Sequence, residues 1–271
     1  MGQKTNPNSL RTISNNHKIH PYWDKVHSHY TIRNIEKIIH ACCKNTNIYV
    51  DNTDITLSHD CILIKINLLQ FHKSINTPNK RSFKHKENPQ HWTIVLKRLY
   101  FCQTLLLEFT GIKKIKLILN RELFYSRGLP CEIRQQTSFY TKKYNRIKFG
   151  YSRIGIQLLY LLTKKKVNVK TLTNFIRINI RTRSRRKKHT DFLKFLKHCF
   201  DVLQNKKTLE GLKIQIKGRF GHKPKGRSKI WKYQMGTMPL NHISAPIYYN
   251  YAQAQTKLGS VGIKTWLYKI I

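Results

Sequence analysis

From Gly211 to Ile271 the chain runs 61 residues without an Asp or Glu, and eleven of them are Lys or Arg. The same stretch carries the clearest strand patterns in the sequence. Leu212, Ile214 and Ile216 alternate with polar neighbours, and Val261, Ile263, Thr265 and Leu267 alternate up to Lys269. Ile243 to Tyr251 is β-prone but broken at Pro246, which suits an edge strand or a strand start. Strands of this quality belong to a folded body, and a folded body this basic repels itself.

The imbalance extends to the whole chain. Over 271 residues, 52 Lys and Arg face 12 Asp and Glu, a formal net charge of +40. Hydrophobic residues at 40% and aromatics at 11% are too many for a simple basic tail. Three polyanions can balance such a body: nucleic acid, an anionic membrane surface and an acidic protein. Nucleic acid has the highest linear charge density and is the expected partner. A membrane partner is not expected. Leu105-Leu106-Leu107 is cut by Glu108, and the apolar run ending at Leu162 is followed by Lys164, Lys165 and Lys166. The start, MGQKTNPNSLRT, has no apolar signal core. Position 6 is Asn6, where a myristoylation signal requires Ser or Thr. Lys4 and Arg11 are the only bases of the first sixteen residues, too few for a transit peptide. The chain is therefore expected to be made in its own compartment or to remain in the cytosol.

Catalysis on phosphodiesters needs clustered carboxylates to hold metal ions. Segments 133–190 and 211–271 contain no acid, and Asp51, Asp54 and Asp60 read as turn formers. No enzyme activity is expected. The six cysteines, at 42, 43, 61, 102, 131 and 199, form no Cys-x-x-Cys pair, and adjacent Cys42 and Cys43 suit zinc badly. They read as buried reduced thiols. The thirteen histidines are scattered and mostly beside Lys, which suits surface or phosphate-facing positions. No metal and no cofactor is expected. GRFGHKPKGRSK, residues 218 to 229, lacks the Gly-Lys-Ser/Thr ending of a nucleotide loop, and a strand rather than a helix is expected after it.

The periodicities give an α+β chain. Residues 1–24 read as an extended N-terminal arm. Residues 25–120 form a small α/β unit. Its first helix carries Ile32, Ile35, Ile38, Ile39 and Cys42 on one face. Strands follow at 47–50 and 61–68, then a flexible basic insertion, 72–91. A second helix, Trp92 to Phe109, presents Leu96, Leu99, Tyr100, Gln103, Leu106 and Leu107, and a strand spans 114–119. A basic irregular linker, 121–151, leads to a second α+β domain, 152–271. That domain has helices at 153–163 and 191–204 and a sheet of roughly four strands. Thr190 and Asp191 are expected to cap the later helix, whose stripe of Phe192, Phe195, Leu196, Cys199 and Leu203 reads as core.

Two runs are expected to hold the polyanion. RINIRTRSRRKK places Arg177, Arg181, Arg183, Arg185, Arg186, Lys187 and Lys188 in twelve residues. The glycine-rich loop and its flanks place Lys217, Arg219, Lys223, Lys225, Arg227, Lys229 and Lys232. Without neighbouring acids these charges repel in free protein; against a phosphate backbone they displace condensed counterions. The planar Arg fork also suits phosphate oxygens, and Gly218, Gly221 and Gly226 let backbone N–H groups approach closely. Lys4 and Arg11 of the arm join the expected nucleic-acid contacts. Aromatics interleave with the second run: Phe220, Trp231, Tyr233, then Tyr248, Tyr249 and Tyr251. They can stack on unpaired bases or form the core of the sheet; Trp266 reads as core.

The opening MGQKTNPNSLR and the later GLKIQIKGR, GTMPL and IYYNYAQAQTKLGSVGIKTWLYK together resemble the small-subunit ribosomal protein S-three family. The carrying residues are Gly218-Arg219, Pro239-Leu240, the tyrosine-rich strand and Gly259 to Trp266. The resemblance implies an N-terminal KH-type domain of the second type and a C-terminal α+β domain. It implies a structural constituent of the small ribosomal subunit, bound to ribosomal RNA in the head, beside neighbouring head proteins and near the point where messenger RNA enters. A KH domain clamps nucleotides with a G-x-x-G loop; here that position is the glycine-free stretch 72–91, so the domain reads as degenerate. A scaffold role, or phosphate contact by Lys80, Arg81, Lys84 and Lys86, is expected instead. The family's basic helix at messenger entry corresponds to 191–204, which puts Lys194, Lys197 and His198 there. Richness in Ile, Asn and Lys, with insertions, resembles organelle-encoded members, so a mitochondrial ribosome is expected, with a plastid or a bacterial cytoplasm as alternatives. Two rival functions stand beside this: an intron-encoded RNA-processing factor (maturase or nuclease), which needs a carboxylate pair, and a free RNA-binding regulator, soluble alone at physiological salt.

Overall fold

A computed structural model describes residues 7–11, 18–19, 25–43, 48–57, 61–71, 89–110, 114–124, 131–133, 135–137, 151–164, 166–182, 188–204, 210–220 and 227–268. The chain divides into two compact units, Asn15–Tyr125 and Met1–Ser14 together with Ser126–Ile271.

The first unit holds β1 (Lys18–Ile19), α2 (Lys25–Cys42), β2 (Ile48–Leu57), β3 (Cys61–Phe71), α3 (Pro89–Thr110) and β4 (Lys114–Phe124), while α1 (Pro7–Leu10) belongs to the second unit. Its four-stranded sheet has the order β1-β2-β3-β4. β2 and β3 are antiparallel, and β3 and β4 are parallel across α3. The Ile62-Ile64-Ile66-Leu68 side of β3 is fully buried against Ile35 and Ile39 of α2 and Val95, Leu99 and Leu106 of α3.

Three expectations are corrected here. β2 runs to Leu57, not Val50. A register shift between Val50 and Asn52 marks a bulge at Asp51, which resets the alternation so that Thr53, Ile55 and Leu57 remain inward. Asp51 and Asp54 are strand residues, not turn formers; Asn52 donates to Asp54 at 2.8 Å and Thr53 donates to Glu36 of α2 at 3.0 Å. Second, α3 begins at Pro89, where a missing N–H costs nothing, so it takes the last three residues of the expected insertion. The rest of that insertion, 72–88, lies outside the described residues. Third, Tyr100 is 72% exposed; the buried face of α3 is Val95, Leu99 and Leu106, with Trp92 and Cys102 packed beside them.

The second unit holds α1 (Pro7–Leu10), α4 (Tyr151–Thr163), α5 (Val169–Thr182), α6 (Lys188–Gln204), β5 (Gly211–Gly218), β6 (Lys229–Gly236), β7 (Ile247–Thr256) and β8 (Gly259–Tyr268). The sheet order is β6-β5-β8-β7, every pairing antiparallel. Leu212, Ile214, Ile216, Val261, Ile263 and Leu267 point to one side and are fully buried. α5 and α6 cover that side, with Phe175, Phe192, Phe195 and Phe200 buried to 1% or less. Burying such rings contributes roughly 2–3 kcal/mol each. Gly155 lets α4 close on α6, since a Cβ there would meet Phe195 at 2.9 Å.

α5 was not expected from the sequence. Its inward positions are Leu172, Phe175, Ile176, Asn179 and Ile180, so a polar residue interrupts the stripe; Asn179 is buried and donates to the Phe175 carbonyl at 2.8 Å. Thr190 and Asp191 lie inside the first turn of α6, which starts at Lys188, rather than at its cap. α1 is a short helix where an extended arm was expected. The linker region is also partly regular: β4 reaches Phe124, and 131–133 and 135–137 are helical.

Candidate nucleic-acid interface

Gly218 ends β5 where the sheet leaves no room for a side chain: a Cβ there would lie 2.7 Å from Val261 Cγ2. The chain leaves the sheet at this point and Arg219 projects outward. Lys217, Arg219, Arg227, Lys229 and Lys232 are all exposed along β5, β6 and the ends of their connection. Lys223 and Lys225 lie outside the described residues. The other end of the same hairpin is fixed by Gly236, whose φ of 65° only glycine adopts easily.

Only part of the arginine run can be placed. Arg177 and Arg181 stand one turn apart on α5, Arg177 half-buried and Arg181 exposed. Burial pushes the Arg177 guanidinium below its ordinary range, and the charge of Arg181 adds to the effect. Two such cations on one helix face repel, and an anion between them relieves both. Arg183, Arg185, Arg186 and Lys187 lie outside the described residues, as does Lys4; Lys188 opens α6. On α6, Lys194 and Lys197 are exposed and His198 is partly so, all away from the Phe192–Phe195 stripe.

Arg11 is a correction. Expected as an RNA contact, it is 6% exposed and faces protein. Its guanidinium donates to the carbonyls of Ala245 at 3.1 Å, His242 at 2.9 Å and Leu240 at 3.3 Å. Beside it, the Asn8 carboxamide donates to Tyr249 O at 2.8 Å and accepts from Tyr249 N at 3.1 Å. Asn8 thus completes the free edge of β7 as a neighbouring strand would. The signal the sequence offered was only a cation far from any acid; that its partners were carbonyls needed the fold.

The aromatics divide. Trp266 is buried and tilts against Tyr249 at 5.3 Å. Trp231 stacks on Tyr233 at 6.2 Å, and Tyr233 stacks on Phe200 at 5.2 Å and donates to Asp201 at 2.9 Å. These rings serve the helix-covered side. Phe220 meets the edge of His189 at 6.3 Å, and His189 is buried with Nε2 3.0 Å from Ile180 O, not at the surface. Tyr251 alone of these aromatics is more than half exposed. Among the described residues no group of three or more His, Cys, Asp or Glu could hold a metal ion. No described helix is long and apolar enough to cross a membrane.

Residues 184–267, which include α6 and all of the sheet but its last residue, Tyr268, match the family "Ribosomal protein S3, C-terminal domain". The small ribosomal subunit protein uS3 of Sulfurovum sp. is 30% identical over 178 residues, covering 58% of this chain and 72% of that protein. The chain belongs to the ribosomal protein S3 family. Two other members align over nearly all of this chain. The uS3c of Euglena longa is 26% identical over 272 residues, 99% of this chain and all of that protein. The uS3 of Borrelia garinii is 24% identical over 270 residues, 99% of this chain and 71% of that protein. Gly218-Arg219, Pro239-Leu240 and Gly259 to Trp266, which carry the C-terminal part of the resemblance, all fall in the family-matched span. They build the exit of β5, the loop that Arg11 holds, and β8.

Proposed function

We infer that this chain is a structural, non-enzymatic constituent of the small ribosomal subunit that binds ribosomal RNA through its phosphates. Family membership supports the assembly. The observation that carries the binding mode is the exposed set Lys217, Arg219, Arg227, Lys229 and Lys232 on a hairpin without one acid. Arg177 and Arg181 add a second phosphate site, extended by the run to Lys188. Lys4 belongs with them; Arg11 does not.

The finer reading is that the protein sits in the subunit head, against neighbouring head proteins, with Lys194, Lys197 and His198 toward entering messenger. Residues 25–120 form a degenerate KH-type domain: the order α2-β2-β3-α3-β4, with β3 and β4 parallel neighbours, supports this. An organellar ribosome fits the Ile, Asn and Lys richness, and a mitochondrial one is our choice.

Binding of the full chain to small-subunit ribosomal RNA tests the phosphate mode. Log affinity should fall linearly with log salt, at about 0.7–0.9 per neutralised phosphate. Replacing Lys217, Arg219, Arg227 and Lys232 together by Gln should flatten that slope by about 3. An unchanged slope would remove this hairpin from the interface.

A further inference from the structure

The side of the second sheet that the helices leave free is covered at one end only. There Trp266, Ile247 and Ala245 are buried beneath Met238 and Leu240, on the loop that Arg11 holds. The register places two rows across the strands beyond that cover. One is Lys232, Gln215, Lys264 and Tyr251; the next is Ile230, Lys217, Gly262 and Gln253. Every position in both rows is neutral or cationic. Lys217, Lys232 and Lys264 are exposed, and Tyr251 is 51% exposed.

Tyr251 is anchored rather than loose. It leans over Gly262: a Cβ at that glycine would lie 3.6 Å from Tyr251 Cε2, ordinary van der Waals contact. One side of the ring is thus fixed to the sheet while much of it stays open. Lys264 is its direct cross-strand neighbour, and Lys217 is the neighbour of Gly262. Directly opposed side chains in a sheet lie within about 5 Å, so a flat hydrophobic group on the ring would have cations beside it.

We propose that this open end binds an unpaired RNA segment, a base stacked on Tyr251 and the flanking phosphates held by Lys217, Lys264 and Lys232. The proposal rests on the RNA-binding reading above and adds base stacking on Tyr251 to phosphate contacts that include Lys217 and Lys232 of the hairpin. Duplex RNA hides its base faces and has no use for an exposed ring; an unpaired base does, and every base offers one. Charge complementarity separates RNA from a protein occupant, which would need acids to match this face.

The test compares the full chain with Tyr251→Phe, Tyr251→Leu and a Lys217→Gln/Lys264→Gln pair, on a single-stranded oligouridine and on an RNA duplex at one salt concentration. Tyr251→Phe should bind oligouridine as the wild type does. Tyr251→Leu still covers Gly262 but lacks the ring; it should lose about tenfold on oligouridine and nothing on duplex. The lysine pair should weaken both probes and lower the salt slope by about 1.4 on the single strand. Thermal melting shows whether each variant is folded. Equal affinity of wild type and Tyr251→Leu for oligouridine overturns the platform, as does an equal loss on both probes. If Tyr251→Leu binds RNA normally yet dissociates from purified subunits, the face takes a protein and the proposal fails. Wild-type protein that binds neither probe refutes the RNA-binding reading itself, a separate outcome.

Discussion

Arg11 Nε donates to the Ala245 carbonyl at 3.1 Å, joining residues 234 positions apart in the chain. With Asn8 on Tyr249, it ties the first residues to the last sheet and holds the 238–246 loop over Trp266. Arg11→Ala removes the charged donor from one buried and two part-buried carbonyl contacts and should cost about 2–3 kcal/mol. Arg11→Lys restores charge but not the fork, and should recover only part of that. Denaturation of the full chain measures the loss; limited proteolysis should cut the 238–246 loop faster in both variants. Unchanged stability in Arg11→Ala would contradict the staple.

Tyr233 gives a pH dependence. Burial, reinforced by donation to Asp201 at 2.9 Å, raises its phenol well above the ordinary tyrosine range. The folded state therefore favours the protonated form. That contribution is fully present below the unfolded value of about 10 and fades as pH climbs through the folded value. Tyr233→Phe should be less stable at neutral pH, and its stability should fall less steeply above pH 10 than the wild type's. Tyr49, raised to about 12 by burial, titrates in both proteins and cancels in the comparison. Parallel pH profiles would show that the Asp201 bond carries no weight.

The thiols should react in a fixed order. Cys131 is exposed, whereas burial pushes Cys42 and Cys43 up to about 12 and Cys199 higher still. Thiolate is the reactive form, so alkylation of the native protein at pH 8 should label Cys131 first. Mass spectrometry of digested samples reads the order. Cys42 labelled as fast as Cys131 would mean that α2 and α3 do not pack as described.

The strongly alternating elements were legible from residues alone. β3, β5 and β8 show their buried side in Ile62-Ile64-Ile66, Leu212-Ile214-Ile216 and Val261-Ile263-Leu267, and burial alone decides such strands. Elements carrying a polar residue in the core were not. Asn179 broke the stripe of α5, and Asp51 in its bulge hid most of β2, because a side chain that bonds its own backbone or a neighbour looks like a turn former. For the interface, charge density found the hairpin cations but could not tell Arg11 from them. A cation satisfied by carbonyls and one awaiting phosphate look alike until the chain is folded. Lys264 escaped notice for the opposite reason: no run marks it, and only the register brings it, with Tyr251, beside Lys217.

Sedimentation of the tagged full chain on a sucrose gradient tests membership of the small subunit most directly. The protein should travel with small subunits at physiological salt and leave those fractions once RNase has digested the RNA. A chain that stays at the top of the gradient, folded and indifferent to RNase, would contradict the account.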